Sequence, residues 1–238
     1  MTVELAHQIL LDKFKREPFH NLYLLNNVHP TTTVYGGTCS DKTLSYLEAV
    51  QAAGFDAHLH SARIDRRENH RLVRLEIGKQ RYFADIGNGW PSIQLFPADT
   101  PIVYECYGMR FRTKLESGMI SIYHLKCGIE KLQMVIDIAP KPDAEIRQAI
   151  ANRFSPQITY PFSNKLRFSM VVGQRFLFIR DTRLEIYSSG GYEEVSNINI
   201  SDLKKVLMEY FGYEFKPLEL HLVNTRPVSK SIENGNIS

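Results

Sequence analysis

The chain has 238 residues, 43% apolar and 23% charged, and a net charge of +3. That length suits one to three small subdomains, and the composition is that of an ordinary soluble protein. So small a charge, with no basic run interleaved with aromatics, argues against nucleic acid or membrane as partner.

Val3, Leu5, Ile9, Leu10 and Phe14 recur at helical spacing and predict an amphipathic helix over 3–16, ended by Pro18. The charges in this stretch do not suit a signal peptide, and no stretch is long enough to span a membrane. Residues 18–36 have no clear period and read as a long connection, the kind that carries function or covers a site. A second helix is expected from about 39 to 53, with Leu44, Leu47, Val50 and Ala53 on one face and Gly54 as its stop. Strands are expected near 56–64, 70–77, 80–86, 108–114, 118–125 and 131–138. Short polar turns between several of them favour antiparallel pairing in an open or closed barrel. Pro140 and Pro142 mark a boundary, followed by a helix over 142–153. Strands return at 166–172, 175–180 and 183–187. Ser201-Asp202 caps a last helix at about 202–211, ended by Gly212. The polar tail after Arg226 is expected to fray.

Three widely spaced cysteines do not make a disulfide framework. Free thiols without an export signal point to a reducing compartment, so a cytoplasmic location is expected. One cysteine stands apart. In Tyr35-Gly36-Gly37-Thr38-Cys39-Ser40-Asp41, two glycines lead into Cys39 at the start of the second helix. The partial positive charge of a helix N-terminus favours thiolate over thiol, which suits a nucleophile. The alternative is a buried, inert cysteine.

A second group comes from strand register. If Gly78-Lys79 is a two-residue hairpin turn, facing residues have numbers that sum to 157, as 78 and 79 do. Leu72 then faces Asp85, and His70, two residues away on the same face, becomes a diagonal neighbour of Asp85. A one-residue slip would separate them. A carboxylate, an imidazole and a helix-start thiol form a Cys-His-Asp set for acyl transfer, with Cys39, His70 and Asp85 as its members.

These residues resemble the arylamine N-acetyltransferase family. Pro18-Phe19-His20-Asn21-Leu22 resembles a family segment with glutamate in the third place. Tyr35-Gly36-Gly37-Thr38-Cys39-Ser40-Asp41 is similar to the nucleophile motif, His70 to the histidine that opens a strand, and Ala84-Asp85-Ile86-Gly87-Asn88-Gly89 to the segment with the aspartate. Pro161-Phe162-Ser163-Asn164 and the strands after it resemble the C-terminal region, so the likeness runs from about 18 to 215. The resemblance implies an α+β fold: an N-terminal helical bundle with the catalytic Cys (1–57), a central antiparallel β-barrel with His and Asp (58–140), and an interdomain helix with an α/β lid (141–238). That is a cysteine-protease or transglutaminase-like catalytic core. It also implies ping-pong transfer of an acyl group from a thioester to an amine. The donor is acetyl-CoA or a phosphopantetheine thioester on an acyl or peptidyl carrier protein, the acceptor a small-molecule amine, and no cofactor is held tightly. Gly87, Asn88, Gly89 and Trp90 form a flexible loop that the family uses for coenzyme A.

The departures are specific. Tyr35 replaces an arginine, Thr43 an asparagine, His20 the glutamate, and Asn88 a phenylalanine that lines the acceptor pocket; the connection from Leu22 to Gly36 is short. Asn88 is therefore expected to offer its amide to the acceptor, making simple arylamines poor substrates. A thiol hydrolase or transglutaminase-like enzyme would use the same triad, and a binding protein on an inactive scaffold is a third reading, opposed by the intact Cys39, His70 and Asp85. His124 with Cys127 and Cys106, and His58 with His60, do not reach a four-ligand metal spacing, so no metal is expected. Lys204-Lys205 reads as a solvated helix face.

Overall fold

The computed structural model describes residues 1–158, 160 and 162–215. The expectations for Pro161 and for the tail after Arg226 lie outside the described residues. The Thr2 hydroxyl accepts from the Leu5 N–H (3.3 Å) and starts α1 (Val3–Arg16), which has Glu4 in its first turn and Lys13, Lys15 and Arg16 in its last, as the helix dipole favours. Ala6, Leu10 and Phe14 form its buried face. The stretch read as a long connection contains β1 (Phe19–His20) and α2 (Leu22–Leu25). Neither is long enough to show a period. Both are fixed by distant partners: His20 N–H donates to the Gly37 carbonyl (2.9 Å), and the Asn21 amide donates to the Phe162 and Lys165 carbonyls (2.7 and 2.8 Å). His20 is fully buried between Tyr23 and Phe168. Its Nε2–H donates to the Tyr35 carbonyl and its Nδ1 accepts from Leu22 N–H, and burial pushes it down to about 4, so it is neutral.

Then come α3 (Cys39–Ala52), β2 (Asp56–Ile64), β3 (Arg67–Ile77), β4 (Gln80–Ala84), β5 (Leu95–Pro97), β6 (Val103–Cys106), β7 (Met109–Glu116), β8 (Met119–Lys126) and β9 (Ile129–Asp137). The eight strands form one antiparallel sheet in the order β5-β4-β3-β2-β9-β8-β7-β6. Its end strands β5 and β6 are not paired to each other, so of the two barrel forms expected the open one is found. These two end strands were missed in the sequence because they are short and bordered by Pro97 and Pro101. Tyr107-Gly108, Ser117-Gly118 and Cys127-Gly128 make tight hairpin turns with positive φ at both residues.

After α4 (Asp143–Ala151) come β10 (Arg167–Val172), β11 (Arg175–Arg180), β12 (Arg183–Ser188), β13 (Gly191–Val195) and α5 (Leu203–Phe211), which Asp202 caps and Gly212 ends in the left-handed conformation. They form a second sheet, β1-β10-β11-β12-β13, so an N-terminal strand edges the C-terminal sheet. Leu22 and Tyr23 pack there with Phe168, Leu184, Leu207 and Phe211. The largest core joins α1 and α3 to both sheets through Tyr46, Val50, Leu75, Ile86, Phe111 and Phe176. Full burial of side chains this size contributes roughly 1.5–3 kcal/mol each. Among the described residues no helix is long and apolar enough to cross a membrane.

Candidate active site

Cys39 is the first residue of α3. The helix start is built around Asp41, whose Oδ2 accepts from the Thr38 N–H (2.9 Å) and hydroxyl (2.8 Å) and whose Oδ1 accepts from Arg153 Nη2 (2.7 Å). The chain reaches this start through Gly36, which has φ +76°; a Cβ there would lie 1.9 Å from the Pro18 carbonyl oxygen. The Thr43 hydroxyl donates to the Arg71 carbonyl (2.9 Å) and ties α3 to β3. That tie sets Cys39 beside His70.

β3 and β4 pair in the register read from the hairpin, with Val73 opposite Ala84 and Leu75 opposite Tyr82. His70 Nε2–H donates to Asp85 Oδ1 at 2.7 Å, and both side chains are buried. That leaves Nδ1 for the Cys39 thiol. Burial pushes that thiol up, but the hydrogen bond and charge of His70, then the Arg71 guanidinium and backbone N–H, outweigh it, and its pKa lies below the ordinary thiol value. Burial works against charge on His70 as well; the Asp85 charge and hydrogen bond, followed by those of Cys39, raise it to about 10. Both shifts run in the direction that favours a thiolate–imidazolium pair beside a buried carboxylate, and a thiolate so placed can attack a carbonyl. The other two cysteines differ. Burial pushes Cys106 up to about 12, and Cys127 sits in an exposed turn.

The loop expected to be flexible is held at three points. Asp85 accepts from Gly87 N–H at Oδ1 (3.3 Å) and from Asn88 Nδ2 at Oδ2 (2.8 Å), and Ser169 donates to the Gly89 carbonyl (2.8 Å). Asn88 lines the cleft with one amide N–H engaged by Asp85, so of the amide expected to face an acceptor only the second N–H and the oxygen are left for it. Trp90 packs between the sheets on Phe178 and His124, with Lys126 Nζ 3.6 Å from its ring centroid. A Cβ on Gly87 would lie 2.4 Å from Cys39 Cα, so no side chain fits between loop and helix start. Gly87→Ala is expected to push α3 away from β3 and lower the turnover rate at least 100-fold, because misplacing a nucleophile by about 1 Å costs that much. Steady-state kinetics beside a melting curve checks it; a well-folded variant at wild-type rate would contradict the contact.

A cleft of about 420 Å³ opens over Cys39 and His70, lined by Asn88, Trp90, Tyr160 and Phe162 among others. Two features of its wall were not legible in the sequence. Gln133 is the extra residue of a β-bulge, since Ile122 faces Met134 and Tyr123 faces Leu132. Bulges re-aim side chains next to sites. Its amide atoms and His124 Nδ1 are buried without a hydrogen-bond partner among the described residues. Burial, then Lys126 and Lys131, push His124 down to about 4, so it too is neutral. The second feature is Arg167 and Arg180, which also line the cleft. No group of three His, Cys, Asp or Glu side chains stands at metal-binding distance among the described residues. His58 pairs with Asp56, and His60 bonds the Asp137 carbonyl.

The sequence matches no protein-family model and no curated protein. Solved structures do match. The arylamine N-acetyltransferase of Salmonella typhimurium superposes with a TM-score of 0.76 at 16% identity, over 92% of this chain and 87% of that one. The Nocardia farcinica arylamine N-acetyltransferase gives 0.77 at 16%, over 90% and 84%. This chain has the arylamine N-acetyltransferase fold. The Mycobacterium marinum arylamine N-acetyltransferase, solved in complex with CoA, gives 0.76 at 15%, over 89% and 86%.

Proposed function

We propose that the protein is a cysteine-dependent N-acyltransferase. The observation that carries the reading is Cys39, half-buried in the lining of a cleft beside the buried His70–Asp85 pair, on a fold that includes arylamine N-acetyltransferases. The Cys39 thiolate attacks the carbonyl carbon of an acyl thioester, acetyl-CoA or a carrier-bound equivalent. The C–S bond to the donor breaks, and His70 gives its proton to the departing thiolate. Acylation removes the negative charge that helped hold the proton on His70, so the ring, its proton given to the leaving thiolate, stays neutral in the acyl-enzyme and is free to accept a proton. It then takes a proton from the attacking amine as Cys39 is released and the amide forms. Asp85 fixes the ring and its tautomer throughout. Three free cysteines suit a reducing compartment such as the cytoplasm.

The acceptor side carries polar groups in a wall otherwise rich in aromatic and apolar side chains. The aromatic wall given up at Asn88 is worth about 0.5–1.5 kcal/mol, up to roughly tenfold in affinity. The unpartnered Gln133 amide and His124 nitrogen instead suit an amine whose body carries hydrogen-bonding groups. The test follows the protein by intact mass with acetyl-CoA alone and then with amines. An acetyl adduct that persists alone and is discharged by amine, with amide formed in equal amount, is expected. 3-Aminobenzamide should exceed aniline in kcat/KM by about tenfold. An adduct lost to water alone at the same rate would favour the thiol hydrolase; aniline as the best acceptor would overturn the polar acceptor site.

A further inference from the structure

The strand register places three arginines in one row across the C-terminal sheet. Arg167 on β10 faces Arg180 on β11, and Arg180 faces Arg183 on β12. Like charges directly opposite on neighbouring strands destabilise a sheet. Three carboxylates answer part of this charge: Asp181 lies 3.3 Å from Lys165, Glu185 lies 3.1 Å from Arg180, and Glu194 lies 3.9 Å from Arg183. Glu185 is shared, at 3.9 Å, with Lys126. Arg167 has no carboxylate partner among the described residues; its Nη1 donates only to the Leu166 carbonyl (2.8 Å). Burial, then Arg180, hold its pKa below the usual guanidinium value. The row borders a second pocket of about 360 Å³, lined also by Lys165 with its partner Asp181 and by Thr182, Ser196 and Asn197. Arg167 and Arg180 line both this pocket and the cleft over Cys39, so the two cavities share these cations.

We propose that Arg167 and Arg180, with Lys165 and Arg183 beside them, form a phosphate site that holds the tail of the acyl donor while its thioester reaches Cys39. The inference rests on the acyltransferase reading for the identity of that donor. The planar guanidinium fork matches phosphate oxygens two at a time, and an anion between facing arginines relieves their mutual repulsion. Thr182, Ser196 and Asn197 add neutral polar groups suited to the remaining oxygens. Coenzyme A and a carrier-protein phosphopantetheine arm both carry a phosphate at that end.

Binding is measured with Cys39→Ser protein, so that no turnover is needed. CoA should bind at least about tenfold tighter than pantetheine, which lacks the phosphates, and Arg167→Gln/Arg180→Gln should bring the two within about twofold. Inorganic pyrophosphate should raise the melting temperature of the Cys39→Ser protein and leave that of the triple variant unmoved. Arg167→Lys, which keeps the charge and loses the fork, should fall between. Without ligand, Arg167→Gln should melt at or above the temperature of its parent, because it removes a like-charge contact; a sharply lower temperature would mean a structural role and overturn the proposal. So would equal affinity for CoA and pantetheine, or a preference that survives the arginine variants. Acylation rates of otherwise wild-type protein with acetyl-CoA and with an acetylated carrier protein then separate the two sources. A loss with either donor in the double arginine variant supports the site, and a loss with neither overturns it. If Cys39 never acylates but the pyrophosphate shift and its loss are seen, the acyltransferase reading fails and the phosphate site stands; if Cys39 acylates with no phosphate preference, the reverse holds.

Discussion

Cys39→Ala is expected to abolish covalent acylation and to lower amide formation by about six orders of magnitude, to the limit of detection, because removing the nucleophile of a covalent mechanism removes nearly all its chemical catalysis. Three cysteines compete in principle for an acyl group. Cys39 lies beside an imidazole held by a buried carboxylate, and its thiol is shifted toward the anion. Cys106, pushed up to about 12 by burial, is a thiol at neutral pH. Iodoacetamide near pH 7 should therefore label Cys39 first, and digestion with mass spectrometry identifies the peptide. His70→Gln should slow that labelling, since it withdraws the hydrogen bond and charge that outweigh burial and hold the thiol below its ordinary value. An acetyl group found on Cys106 or Cys127 in the Cys39→Ala protein would sink the assignment.

What was legible in the sequence had a short-range cause. The caps and stops of α1, α3 and α5 are local chemistry, at Thr2, Thr38, Asp202 and Gly212, and apolar spacing located the helices. The meeting of His70 with Asp85 could be read because a two-residue turn fixes the register on either side of it. What was illegible is fixed at long range. β1 exists because Gly37 and Ser169 flank it, far along the chain. Arg153 completes the start of α3 from the end of α4, with no motif to announce it. Gln133 reaches the cleft wall because one residue is extra in β9, and a bulge leaves the alternation of a strand almost unchanged in sequence. The arginine row needed the register of three strands before its like charges could be seen to face one another. Asn88 was read as a substitution in a pocket. Its role as a partner of Asp85 needed the loop's actual path.

Asp85→Asn is expected to keep the fold and to lower kcat by about 10⁴, the loss such a replacement causes where a carboxylate orients a catalytic histidine. The hydrogen bonds explain why an amide fails here. Both carboxylate oxygens accept: Oδ1 from His70 Nε2 and Gly87 N–H, Oδ2 from Asn88 Nδ2. An amide at position 85 has only one oxygen. If that oxygen faces His70, two N–H₂ groups confront each other at Asn88. If it faces Asn88, its own N–H₂ points at His70 Nε2, which must then accept, so the proton moves to Nδ1 and the ring can no longer take the proton of Cys39. The charge is lost as well. His70 then falls from about 10 toward its ordinary range, and the Cys39 thiol, with less imidazolium beside it, rises. The pH at which iodoacetamide reactivity reaches half its plateau should therefore move upward, the sign expected when a cation that favours the thiolate is withdrawn. Exchanging the partners in Asp85→Asn/Asn88→Asp lets the new carboxylate accept from the amide at 85, turning that amide's oxygen back to His70. The tautomer is restored without the full charge, and part of the lost rate should return. A single Asp85→Asn variant that stays folded and turns over at the wild-type rate would show that the carboxylate does not orient His70 for this chemistry.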